Sequence, residues 1–125
     1  GTLTFSPGAD FIYYAPLMLP QNATITAIHA YVIDNSPYNI NKIQLYKNEY
    51  TVNPPSATQL PIGPFLSSSG MNPGIQLLSK PLSETVDNST WSYFILLDAD
   101  YTNMAPQHRP KIGTIMVVYE KRETD

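Results

Sequence analysis

The stretch Thr85-Val86-Asp87-Asn88-Ser89-Thr90-Trp91-Ser92-Tyr93-Phe94-Ile95-Leu96-Leu97-Asp98 decides how this chain is read: a turn of short polar residues launches the most apolar run in the sequence. The same triplet recurs in Tyr31-Val32-Ile33-Asp34-Asn35-Ser36, where it ends an apolar run instead of starting one. Asp and Asn side chains bond the backbone two residues on, and Pro37 presets φ, so the earlier triplet is a turn with a mechanism. One copy closes a strand and the other opens one.

Working outward from these two strands, Thr24 to Ile33 is β-branched and long enough to cross a sheet. Its alternation slips near Ala27-Ile28, which predicts a bulge. Ile40 to Lys47 alternates, with Ile43 and Leu45 on one face against Lys42, Gln44 and Tyr46 on the other, as a half-buried antiparallel strand does. Leu3-Thr4-Phe5 reads as a short edge strand. Phe11 to Leu19 reads as an aromatic strand that Pro16 confines to an edge or a bulge. Asn48 to Pro64 is Pro-rich and polar and is expected to be a long connection crossing between two sheets, followed by a short strand from Phe65 to Ser68. Ile75 to Leu78 and Ile112 to Tyr119 complete the set, and Glu120 to Asp125 reads as a solvated tail. The count is about eight strands with no helical periodicity. The fold class is all-β: an antiparallel β-sandwich, jelly-roll-like because the strand number and long middle connections fit two Greek keys, while the late position of Trp91 weakens an immunoglobulin-like reading.

The chain of 125 residues fits one domain, 1–125. Hydrophobic residues make up 42% and charged residues 14%, with 9 Tyr and 12 Pro; average domains carry roughly 25% charge. That balance suits a loop-rich β protein and excludes disorder. The net charge of −3 and the scattering of seven Lys and Arg leave no basic stripe, so no nucleic-acid partner is expected. There are no cysteines, which removes disulfides, thiolate metal sites and a Cys nucleophile together. No apolar run approaches the ~20 residues of a spanning helix, so no membrane insertion is expected. Gly1-Thr2 reads as a cut end. The sequons Asn22-Ala23-Thr24 and Asn88-Ser89-Thr90 point to surface positions.

Candidate chemistry is thin. His29 lies in a strand and reads as a satisfied sheet residue; His108 reads as a solvated loop residue. No G-x-S-x-G elbow is present, and no enzyme is expected. Asp98 and Asp100, with Asp34 and Asp87 at other turns, form a minority calcium hypothesis, set against the commoner use of Asp-rich turns as backbone caps; the expectation is no cofactor. A glycan is the leading ligand, since aromatic faces and Asn/Asp loops suit sugar hydroxyls. Tyr38, Tyr101, Asn35 and Asp100 are the residues expected to carry it, with Tyr13, Tyr14 and Tyr50 as further aromatic faces and Trp91 read as core. The last two long strands are apolar on both faces. A two-layer sandwich covers one face only, so Phe94, Leu96, Ile115 and Val117 are expected at an interface with a loop, a neighbouring domain or a second copy.

The series Leu19-Pro20-Gln21-Asn22-Ala23-Thr24-Ile25-Thr26, Tyr31 to Ser36, Ile43-Gln44-Leu45-Tyr46, Ser67-Ser68-Ser69-Gly70, Val86 to Tyr93 and Ile115 to Glu120 resembles an uncharacterised β-sandwich domain of bacterial secreted, surface or tail-fibre-like proteins. The resemblance spans the chain from about Leu17 onward and rests on turn and strand motifs. The Pro-rich stretch from Val52 to Pro64 has no counterpart in it. It implies a non-catalytic extracellular, cell-surface or virion module that forms a homo-oligomer, with a trimer among its forms. The functional expectation is a structural or assembly subunit of a fibre, appendage or virion-like particle, with a carbohydrate-binding module as the alternative.

Overall fold

The computed structural model describes residues 1–5, 12–34, 40–49, 59–68, 72–99 and 111–121. Along them run eight strands: β1 (Thr2–Phe5), β2 (Ile12–Leu17), β3 (Thr24–Asp34), β4 (Ile40–Glu49), β5 (Gln59–Leu66), β6 (Asn72–Thr85), β7 (Trp91–Ala99) and β8 (Lys111–Glu120). They form two four-stranded antiparallel sheets, sheet A in the order β1-β8-β3-β6 and sheet B in the order β2-β7-β4-β5. The pairing is nested: β1 lies against β8, β2 against β7, β3 against β6 and β4 against β5. No helix among the described residues is long and apolar enough to cross a membrane.

One core joins the two sheets, so the architecture is a β-sandwich. Sheet A contributes Ile25, Ile28, Ala30, Val32, Ile115 and Val117; sheet B contributes Ile43, Leu45, Tyr93, Ile95 and Leu97, all buried. Period-two alternation explains most of this list, and two departures from it are informative. In β3 the inward set jumps from Ile25 to Ile28, because against β8 one extra residue is inserted between Ile25 and Ala27. This is the slip read from the sequence near Ala27-Ile28. Further along, Tyr31 pairs with Thr114 and Val32 with Ile112, leaving Gly113 as the extra residue on β8. The parity of β8 therefore changes at Gly113. Ile112 points inward with Ile115 and Val117, and the outward positions are Met116 and Val118.

Two expectations need correction. Ile115 and Val117, expected at an outward interface, are fully buried between the sheets. The Pro-rich stretch before Phe65 does not link the two sheets: β4 and β5 are paired neighbours in sheet B, and β5 already begins at Gln59. Proline is tolerated there because β5 is an edge strand, where a missing N–H can face away from the ladder. The same reason admits Pro16 on the edge strand β2, and Pro73 and Pro81 on the edge strand β6, which is much longer than the Ile75 to Leu78 expected.

Opposite Gln44 the ladder opens. Ile43 pairs with Leu66 and Leu45 with Ile62, so Gly63-Pro64-Phe65 stand across from one residue. The buried Gln44 side chain fills the gap, its Nε2 donating to the carbonyls of Gly63 (2.8 Å) and Ile62 (3.3 Å). Gly63 takes φ of +67°, and a Cβ there would lie 2.9 Å from Cβ of Leu82 on β6. Here the free edges of the two sheets meet.

Candidate interaction surface

The strand that opened the sequence reading organises this surface. Trp91, Tyr93, Ile95 and Leu97 of β7 face the core side, which leaves Ser92, Phe94, Leu96 and Asp98 on the outer face of sheet B. Register places Phe94 between Pro16 of β2 and Tyr46 of β4, and Leu96 between Tyr14 and Gln44. Residues directly opposite in antiparallel strands share a face, so aromatic side chains from three strands converge. The Tyr46 and Phe94 rings stack at 5.4 Å with 12° between their planes, and Tyr14 leans on Phe94 at 6.1 Å and 45°. Tyr14 is 60% exposed and Met18, just beyond β2, 88% exposed. An open groove lined by Pro16, Met18, Leu19 and Ser92 continues the surface toward the turn end.

Charge on this face is sparse. The Lys42 ammonium lies 5.2 Å from the Tyr46 ring centroid, a cation–π contact, and Asp98 stands across from Lys42 in the ladder. Asn48, opposite Ser92, has an Oδ1 that is shielded and without a partner among the described residues. The rings are turned on one another, and Lys42 sits over one of them. Of the three rings Tyr14 is the one left largely open to solvent, beside the exposed Pro16 and Met18 side chains.

The turn end of the sandwich is polar and internally satisfied. Asn22, at φ 67°, and Ala23 exchange backbone bonds with Val86, the Asn22 N–H donating to Val86 O at 3.0 Å and the Val86 N–H to Ala23 O at 2.8 Å. The Asp87 Oδ1 accepts from the Ser89 hydroxyl (2.5 Å), the Ser89 N–H (3.1 Å) and Gln21 Nε2 (3.3 Å). Hydrogen bonds from Ser89, Thr90 and Gln21 hold the Asp87 carboxyl at about 2, below the ordinary 3.8. Gln21 Oε1 in turn accepts from the Asn88 N–H at 2.6 Å, and Asn88 Nδ2 donates to Leu19 O at 2.7 Å. The Asp87 N–H donates to the Tyr93 hydroxyl at 2.9 Å, and burial raises the pKa of that phenol. Nearby, Lys47 bridges the sheets to Glu84 at 2.8 Å while its ammonium lies 4.5 Å from the Trp91 ring, which packs against the core.

Of the residues expected to matter, Phe94 and Leu96 lie together on the outer face of sheet B, and Asp98 shares it. Tyr38, Tyr101, Asn35 and Asp100 lie outside the described residues. No group of three or more His, Asp or Glu residues is gathered among the described residues. Sequence reading missed Tyr46, Pro16 and Met18, because Tyr46 was grouped with Lys42 and Gln44 as a polar strand face; only the register with β7 makes it half of a ring stack.

Comparison of the chain with protein-family models, with curated proteins and with solved structures finds no match.

Proposed function

We propose that this chain is a non-catalytic assembly module of an extracellular fibre, appendage or virion-like particle, and that it self-associates through the outer face of sheet B. The observation that carries the reading is the aromatic and aliphatic cluster of Tyr14, Pro16, Met18, Tyr46, Phe94 and Leu96, which leaves β7 apolar on both faces. Apolar patches of this kind rimmed by few charges mark protein contacts. The strand order supports a jelly roll, since two nested sets of antiparallel pairs, 1-8-3-6 and 2-7-4-5, are what a hairpin of four strand pairs produces when it is wound into two sheets. The extracellular placement rests on the resemblance to bacterial surface and tail-fibre-like domains.

Sedimentation equilibrium over a concentration series tests the reading. Wild type is expected as an oligomer, and Phe94→Lys, with its fold checked by circular dichroism, is expected at a lower assembly state. A wild type that stays strictly monomeric, or a Phe94→Lys variant with unchanged mass, overturns it.

The carbohydrate-binding alternative rests on Tyr38, Tyr101, Asn35 and Asp100, whose residue types suit sugar faces and hydroxyls. Loss of binding on a glycan array in Tyr38→Ala and Tyr101→Ala would establish it, and an array on which wild type binds nothing would remove it.

A further inference from the structure

The edge strands β5 of sheet B and β6 of sheet A enclose a groove between the two sheets. At Gly63 they touch, since a Cβ there would lie 2.9 Å from Cβ of Leu82. Beyond that contact they stand apart, and an open groove of about 450 Å³ lies between Phe65, Leu66 and Ser67 on one side and Leu77 to Lys80 on the other. Ligand sites commonly enclose about 300–1,000 Å³. Phe65 lines it as part of the three-residue bulge opposite Gln44, and a bulge re-aims a side chain out of its regular place.

The lining is divided in its chemistry. Phe65 is 51% and Leu77 54% exposed, while Leu66 and Leu78 join the groove to the core. Ser67 and Ser79 bring hydroxyls and Lys80 an ammonium, and no acidic residue lines the groove. Lys80 takes part in no ion pair among the described residues: Glu84, the single acidic residue of β6, is held by Lys47 at 2.8 Å. The groove beside Gly113, by contrast, holds no charged side chain that could orient a ligand.

We propose that this groove binds a small monoanion with an apolar tail, of the class of the medium-chain carboxylates. The tail covers the Phe65 ring and the Leu77 side chain, removing from water apolar surface that is otherwise exposed. The carboxylate accepts from the Lys80 ammonium and from a serine hydroxyl beside it, and such a charge-assisted bond strengthens as the tail excludes water. One cation with no acidic neighbour complements a single negative charge. The same cation repels an ammonium head and gains less from a neutral one. The groove lies between the sheet edges, so the assignment does not rest on the outer face of sheet B and stands whether or not the chain self-associates.

Chemical-shift titration of the isotope-labelled chain with sodium octanoate, octan-1-ol and octylammonium tests the assignment. Octanoate is expected to shift the amides of Phe65, Ser67, Leu77 and Lys80 saturably. Octan-1-ol should need about tenfold more for the same shift, because a neutral bond replaces a charged one, and octylammonium should bind weakest. Lys80→Glu, a change at an exposed position, is expected to invert the order of octanoate and octylammonium, and Phe65→Ala to weaken all three probes alike. Equal responses to the three probes, shifts confined to residues outside the groove, or an octanoate response that survives Lys80→Glu unchanged overturn the assignment. So does the absence of any saturable shift up to the solubility of octanoate.

Discussion

Gly63→Ala tests the place where the two sheets' edges meet. Two effects act against the alanine. At φ +67° an L-residue with a Cβ costs about 1–2 kcal/mol. The new Cβ also sits 2.9 Å from Cβ of Leu82, with the Leu82 Cδ2 at 3.5 Å, and overpacking of this sort costs about 1–3 kcal/mol. The sum is about 3 kcal/mol, which for a domain of this size lowers Tm by roughly 10 °C. Thermal and urea melts measure it, and a double-mutant cycle separates the two parts. Leu82→Ala keeps the offending Cβ, so it leaves the steric part in place; Leu82→Gly removes that atom, so the cycle with Gly63→Ala should return about 1–2 kcal/mol of coupling. The reasoning fails if Leu82→Ala rescues Gly63→Ala as well as Leu82→Gly does, or if Gly63→Ala melts with wild type.

Asp87 titrates at about 2 in the folded chain against 3.8 ordinarily, so its depressed value adds stability that is complete above about pH 4 and is lost as pH falls through about 2. Melts from about pH 5 down to 2 should therefore show an acid limb that Asp87→Asn flattens. Lys47→Met should cost about 1–2 kcal/mol, because it removes both the half-buried bridge to Glu84 and the cation over Trp91. Adding Glu84→Leu should recover much of that loss in chemical denaturation, since the unpaired carboxylate is then gone.

How much of this was legible follows from what each signal depends on. Strand existence depends on local alternation and turn chemistry, and seven of the eight strands overlap the runs those signals mark, whereas β5 lies mostly in the Pro-rich stretch expected as a connection. Strand ends depend on position in the sheet. Pro61, Pro64 and Pro81 look like breaks in a sequence, but on edge strands they are tolerated, so β5 and β6 run well past the expected limits. Facing depends on pairing. The extra residue at Gly113 flips β8 and sends Ile115 and Val117 into the core, and nothing within the run Ile112 to Tyr119 shows that Tyr31 and Val32 across the ladder impose it. Phe94 and Leu96 were legible as outward residues because β7 is apolar at every position from Tyr93 to Leu97, so one face had to be left over. Their partners were not, since Tyr14 and Tyr46 reach Phe94 only through cross-strand register.

The same contrast bears on the direction in which copies of this chain would add. At the turn end Gln21, Asn88 and Ser89 are exposed and are bonded with Asp87 and to one another, and Asp87 is fully ionised at neutral pH. Covering that end would strip water from a charge and from satisfied polar groups, which gains nothing. The outer face of sheet B instead gains roughly 25 cal/mol for each Å² of apolar surface removed from water. Lateral growth is therefore the proposed mode, and it makes a prediction that separates it from charge-driven assembly. Among the described residues, Lys42 and Asp98 are the charged residues placed on the sheet B face, so screening has little to act on there. The oligomer mass, measured by light scattering, should hold or rise as NaCl goes from about 0.05 to 0.5 M, where the Debye length shrinks from more than 10 Å to less than 8 Å. An oligomer that dissociates as salt rises would assign the contact to ion pairs and reject the apolar surface.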